Sequence, residues 1–167
     1  MDIILLQPGD PDIVYTPAVP RIDGLPAGVI GGFDPRLCVP LTAFGQDLKA
    51  PASATTPPAA AFTLIKPVDA LSVKLYEFCL RGLPLGQGRE RPSWLHRVSD
   101  GVLALSIALR DAVITDIQLQ SQADGSTVER VTLTPSEMLW TYHIPMGGTL
   151  FTGWSTLQNR PIASFTT

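Results

Sequence analysis

Proline placement constrains this chain more than any other feature of its sequence. The sixteen prolines crowd the N-terminal two-fifths and the neighbourhood of residue 90. Proline has no backbone N–H, so these stretches cannot supply central strands. Residues 8–35 therefore read mostly as loop, with "DIVYT" and "GVIGGF" as short edge strands. "RLCVPLTAF" reads as a strand in which Pro40 marks an edge or a bulge. "KAPASATTPPAAA" is a low-complexity run, expected to be an extended, solvent-facing excursion, and "AFTLIK" restarts a strand.

One helix is predicted over residues 69–81. Asp69 is placed to cap it, because a carboxylate accepts from the unpaired amides of the first turn. Leu71, Leu75, Phe78 and Cys79 follow at helical spacing and form one apolar stripe. Arg81 suits the negative end, and Gly82 can adopt the left-handed conformation that stops a helix.

Beyond the helix the chain reads as strands. "GVLALSIALRDAVITDIQLQSQ" is one long bent strand or two strands. It is bounded by "SDG" and "ADGS", and this favours strands over a buried helix of the same composition. In "TVERVTLTPSEMLWTYHI", Val131 and Leu133 share one parity, whereas Met138, Trp140 and Tyr142 share the other. Such a change needs a bulge or bend, and "TPSE" supplies it. "MGG" is another turn, and "TLFTGWSTLQNRPIASF" closes the chain as one or two short strands. The pattern is that of a mainly β domain with one flanking helix, a barrel or two-sheet sandwich.

Charge enters as a constraint on partners. Charged residues make up 16% of the 167 residues, against roughly 25% in a typical domain. Arg dominates the twelve basic residues, with Lys only at Lys49, Lys66 and Lys74. Either some surface is covered by partners, where Arg is favoured, or the bias reflects a GC-rich genome. The net charge of −3 argues against a nucleic-acid binder. Arg89, Arg91 and Arg97 read as a loop patch near Glu90 and Asp100. "MDIILLQPGDPD" has no basic leader region and reads as a strand rather than a signal peptide. No apolar run reaches the ~18 residues needed to span a bilayer, so a cytoplasmic start without membrane insertion is expected.

The sequence carries no recognisable catalytic or metal-binding pattern. His96 and His143 have no Cys or carboxylate partner at ligand spacing. Ser155 in "GWST" lacks the turn that presents a nucleophile. "GLPLGQGRE" lacks the Lys-Ser/Thr pair that grips phosphate. Cys79 reads as a small core residue and Cys38 as a strand residue, with a bridge between them left open. The chain is therefore expected to be non-enzymatic, with no cofactor and no metal.

Four ordered stretches carry a family resemblance. "FTLIKPVDALSVKLYEFCLRG", "LALSIALRDAVITDIQ", "ERVTLTPSEMLWTY" and "GWSTLQNRP" run in order across residues 62–161. Together they resemble the strand–helix unit, the two long strands and the closing Gly-Trp segment of the Hcp (haemolysin-coregulated protein) family, the inner-tube proteins of type VI secretion systems. Departures from the family pattern are the Pro-rich residues 8–36, Pro135 where an aromatic is common, and Ser155 where the family has Asp. The resemblance implies a single β-barrel domain over residues 1–167, made of two packed sheets with a flanking helix. The domain would carry a Pro-rich insertion at about 8–36 and an extended loop at about 46–60, Ala/Pro-rich where the family's protruding loop is often Gly/Ser-rich.

The same resemblance implies hexameric rings that stack into a secreted tube and carry effectors, with the type VI sheath, spike and effector proteins as partners. It makes the 46–60 loop the segment that reaches a neighbour, with Lys49, Ser53, Thr55 and Thr56 as subunit-contact candidates. Two other readings compete. One is a monomeric β-sandwich whose ligand site is lined by Trp94, Trp140 or Trp154, although core roles suit these residues better. The other is a phage-type tail-tube protein.

Overall fold

A computed structural model describes residues 2–14 and 37–167. Among these residues, eleven strands and one α-helix follow in chain order. They are β1 Asp2–Gln7, β2 Val39–Leu41, β3 Ala43–Lys49, β4 Ala59–Pro67, α1 Ser72–Arg81, β5 Ser93–Ser99, β6 Val102–Arg110, β7 Val113–Ser121, β8 Thr127–Thr134, β9 Glu137–His143, β10 Thr149–Ser155 and β11 Arg160–Pro161. They form a seven-stranded sheet, ordered β11-β10-β9-β6-β5-β1-β2, and a four-stranded sheet, ordered β3-β4-β8-β7. All the ladders are antiparallel. Two packed sheets with a flanking helix are thus as expected, and no ladder closes them into a continuous cylinder among the described residues.

The change of parity at "TPSE" is a change of sheet. β8 ends at Thr134 in the four-stranded sheet, and β9 begins at Glu137 in the seven-stranded one. Leu133 and Met138 therefore enter one core from opposite sides. "GVLALSIALRDAVITDIQLQSQ" divides in the same way into β6 and β7, turning at Asp111 with a φ of 48°. The two crossings are stitched together, because the Ser136 amide donates to the Arg110 carbonyl at 3.0 Å. "RLCVPLTAF" also divides, since β2 and β3 belong to different sheets, and Pro40 sits on the outermost strand β2. An edge position suits a residue without an N–H.

One core fills the space between the sheets. Leu6, Leu95, Ile107 and Leu109 meet Phe62, Leu64, Val131 and Leu133, with Leu71, Leu75 and Phe78 added from the helix side. Each such fully buried side chain contributes about 1.5–3 kcal/mol. Of the predicted stripe, Leu71, Leu75 and Phe78 are buried and Cys79 is half-buried, and Gly82 ends the helix at a φ of 62°. The start of the helix requires correction, because it begins at Ser72 rather than at residue 69. The Asp69 carboxylate accepts from the Leu71 amide in a turn before the helix, and Leu71 makes no side-chain cap.

Three further expectations change. Asp12 and Ile13 of "DIVYT" lie in a short 3-10 turn, Pro11–Ile13, while Tyr15 and Thr16 lie outside the described residues, as does "GVIGGF". Proline at the first position of that turn fixes φ for it. The 46–60 loop shortens to residues 50–58, because β3 and β4 remain paired out to Lys49 and Ala59. Arg97 is on β5, not in a loop, and pairs with Asp2 across the sheet at 2.6 Å.

Candidate functional site

The β3–β4 hairpin carries the subunit-contact candidates. At its tip, the Ser53 hydroxyl lies 3.1 Å from Thr55 Oγ1 and 3.0 Å from Thr56 Oγ1. The Thr56 amide donates to the Ser53 carbonyl at 3.2 Å, which closes the turn. Three exposed hydroxyls are thereby gathered into one cluster. Lys49 stands apart at the end of β3, 3.6 Å from Asp47 and largely exposed. An ion pair so exposed adds little stability, so Lys49 is available to other contacts.

Beneath this hairpin the sheets part. β3 is the edge of the four-stranded sheet, and beyond β10 only the two-residue β11 pairs at the edge of the seven-stranded one. Between them lies an apolar groove of about 480 Å³. Leu48, Pro51 and Pro58 line one side, and Trp140, Thr152 and Trp154 line the other. Trp140 bridges the two sheets, its indole N–H donating to Gln46 Oε1 at 2.6 Å. The indole N–H of Trp154 is buried without a hydrogen-bond partner. Both rings are half-buried, packing on the core while also walling the groove, and Trp94 stacks on His96 at 5.7 Å. Gly153 is required here, because a Cβ would lie 2.6 Å from the Ile162 carbonyl oxygen of the returning C-terminal segment.

At the opposite end of β4 the same inner face holds charge. Phe62, Leu64 and Lys66 alternate along it, cross-strand from Leu133, Val131 and Glu129. Lys66 is 1% exposed and Glu129 0%. The Lys66 ammonium donates to Glu129 Oε1 at 2.8 Å, to Asp69 Oδ1 at 2.9 Å and to the Pro67 carbonyl at 2.7 Å. From α1, the Ser72 hydroxyl donates to Glu129 Oε1 at 2.7 Å and the Tyr76 hydroxyl to Glu129 Oε2 at 2.8 Å. The phenol of Tyr76 is pushed up by burial and by the adjacent Glu129 carboxylate. This network ties the helix to the four-stranded sheet. Sequence reasoning missed it, although the signal was present: Lys66 and Glu129 continue the parity of core residues on both strands.

A second buried carboxylate anchors the C-terminal segment. Glu137 accepts from Arg110 Nη1 at 2.9 Å, from the Thr166 amide at 2.9 Å and from the Thr166 hydroxyl at 2.7 Å. Burial pushes its carboxyl up, and the combined hydrogen bonds from Thr166, Ser155 and Arg110 outweigh that and hold it below the usual range. His96 is also buried, 3.1 Å from the Ser106 hydroxyl. Burial and the nearby His143 push its imidazole down to about 4.

No group of three or more His, Cys, Asp or Glu among the described residues could hold a metal ion. Cys38 and Cys79 are not bridged to each other. No described helix is long and apolar enough to cross a membrane. The prominent features are therefore surfaces: an exposed hydroxyl-bearing hairpin and an open apolar groove at a sheet seam.

No family model and no curated protein sequence matches the chain. Solved structures do. Hcp1 from Salmonella typhimurium is 18% identical with a TM-score of 0.67, the match covering 96% of this chain and 99% of that one. A type VI secretion system effector from Yersinia pestis is 14% identical with a TM-score of 0.65, covering 93% of this chain and 99% of that one. The secreted protein Hcp3 from Pseudomonas aeruginosa is 17% identical with a TM-score of 0.59, covering 92% of this chain and 97% of that one. The likeness is one of fold, and the chain has the fold of the Hcp proteins, as the four ordered stretches suggested.

Proposed function

We propose that this Hcp-fold chain is a structural subunit of a type VI secretion tube. Six copies form a ring, and rings stack into a tube that carries effector proteins out of the cell. The observation that supports this best is the extent of the match, which spans 96% of this chain and 99% of a solved Hcp protein without a large unmatched part on either side. Two features of the chain agree with it. Unpartnered strand edges beside the seam are a hazard in a monomer and an asset in a closed ring. The low charge content of 16% suits a surface largely covered by copies of itself.

On this reading the chain acts by shape and self-association rather than by catalysis. Its partners are further copies of itself, then the sheath, spike and effector proteins of the apparatus, and it leaves the cell through that apparatus. The β3–β4 hairpin, with Lys49, Ser53, Thr55 and Thr56, is the segment proposed to reach the next subunit. Light scattering with negative-stain electron microscopy tests the proposal. Six-fold rings with a central pore are expected, and a strictly monomeric species at high concentration would overturn it.

A further inference from the structure

Exposed apolar surface among the described residues is concentrated in one hairpin and the turn that follows it. Tyr142, Ile144, Met146, Leu150, Phe151 and Leu157 are six of the twelve exposed large apolar side chains among the described residues. All six fall within residues 138–159, which contain no Asp, Glu, Lys or Arg. A solvated hairpin ordinarily carries charge, and an apolar patch without it marks a contact surface. Tyr142 and Leu150 are cross-strand partners on one face, and Phe151, the next residue of β10, points to the other. The hairpin is therefore apolar on both faces.

Its tip is a held turn. The Ile144 amide donates to the Gly148 carbonyl and the Gly147 amide to the Ile144 carbonyl, both at 3.1 Å. Met146, in the left-handed region at a φ of 67°, is 106% exposed. A held turn loses little entropy on docking, and a thioether adapts to an irregular cavity.

The groove at the sheet seam is the matching hollow. Its volume of about 480 Å³ has room for several side chains, and among the described residues Lys49 is the only charged one lining it. The tip of a molecule cannot fill its own groove. Trp140 walls the groove, and four residues of strand at about 3.3 Å each carry Ile144 some 13 Å beyond it. The occupant with the right chemistry is a second copy. We propose that the β9–β10 turn of one copy, led by Met146 and Ile144, docks in the groove between Leu48, Trp140 and Trp154 of the next. Each copy then contributes one knob and one hollow, the head-to-tail contact from which a ring closes. This inference rests on the ring reading above and names the surface that the ring uses.

Cross-linking tests it. Full-length Met146→Cys and Leu48→Cys chains are purified separately with different tags, mixed and joined with a short bismaleimide. The unsubstituted chain sets the background from Cys79. Cross-linked dimers are expected in the mixture at about tenfold or more above either variant alone, and they carry both tags. Rings without mixed dimers would overturn this contact and leave the ring reading intact. Self-joining of Met146→Cys to the same extent would overturn it in favour of a two-fold hairpin contact. Failure of the unsubstituted chain to form rings would remove the ring reading itself. As a second measure, Met146→Asp should keep its melting temperature and lose about nine-tenths of its rings; an undiminished ring population would sink the proposal.

Discussion

The two ends of strand β4 face the same interior and are finished in opposite ways. Lys66 at one end meets Glu129, Asp69 and Ser72, and Tyr76 in turn donates to Glu129, so that charge is buried and satisfied within the molecule. Ala60 at the other end lines an open apolar groove, where the Trp154 indole N–H is buried without a partner. One end is sealed by a helix. The other is left as the chain's own strands leave it, with sheet edges and apolar side chains exposed. The contrast teaches where this molecule is self-sufficient. A buried ion pair is tolerated only where every group has a partner, whereas an exposed apolar opening is the kind of surface that marks a contact site.

The largest expected effect comes from breaking the sealed end. Lys66→Met should cost about 3–5 kcal/mol, because it leaves Glu129 buried and uncompensated. The double change Lys66→Met with Glu129→Leu should cost less than that single change. Urea midpoints at one protein concentration decide it, and a double variant as unstable as the sum of its singles would refute the account.

A buried imidazole adds a pH dependence at His96. Its imidazole has a folded value of about 4 against an ordinary 6.5. The unfolded chain therefore binds a proton between these values and the folded one does not. Stability is complete above pH 6.5 and falls as pH drops through that window, by on the order of 3 kcal/mol in all. The urea midpoint should follow this course, and His96→Gln should flatten it.

The smallest effect belongs to the open end. Trp154→Phe removes an indole N–H that has no partner, so its cost to the fold should stay below about 1 kcal/mol. Thermal melting measures this, and a loss as large as that of Lys66→Met would erase the distinction between the ends.

Much of this was legible locally. The apolar stripe of α1, its stop at Gly82, the "ADGS" turn and the break at "TPSE" all follow from spacing and turn chemistry within a few residues. Less legible was the true start of the helix. Asp69 is placed like a cap, yet its carboxylate also takes the Lys66 ammonium, and the first helical turn forms three residues later. The groove was not legible at all, since Leu48 and Trp140 come from separate sheets and nothing local to either announces the other.

By itself the sequence determined where most of the strands and the helix lie and which parity of each faces inward, because periodicity and backbone chemistry are properties of neighbouring residues, whereas β5, read as loop beside Pro92, became a central strand only in the fold. Tertiary structure alone decided which inward faces meet. It paired Lys66 with Glu129 across 63 residues, carried "RLCVPLTAF" from one sheet to the other at Thr42, and left β3 and β10 facing across an open seam. The physical reason is that alternation states that a side chain is covered but not by what, and the cover is chosen by packing between elements far apart in the chain.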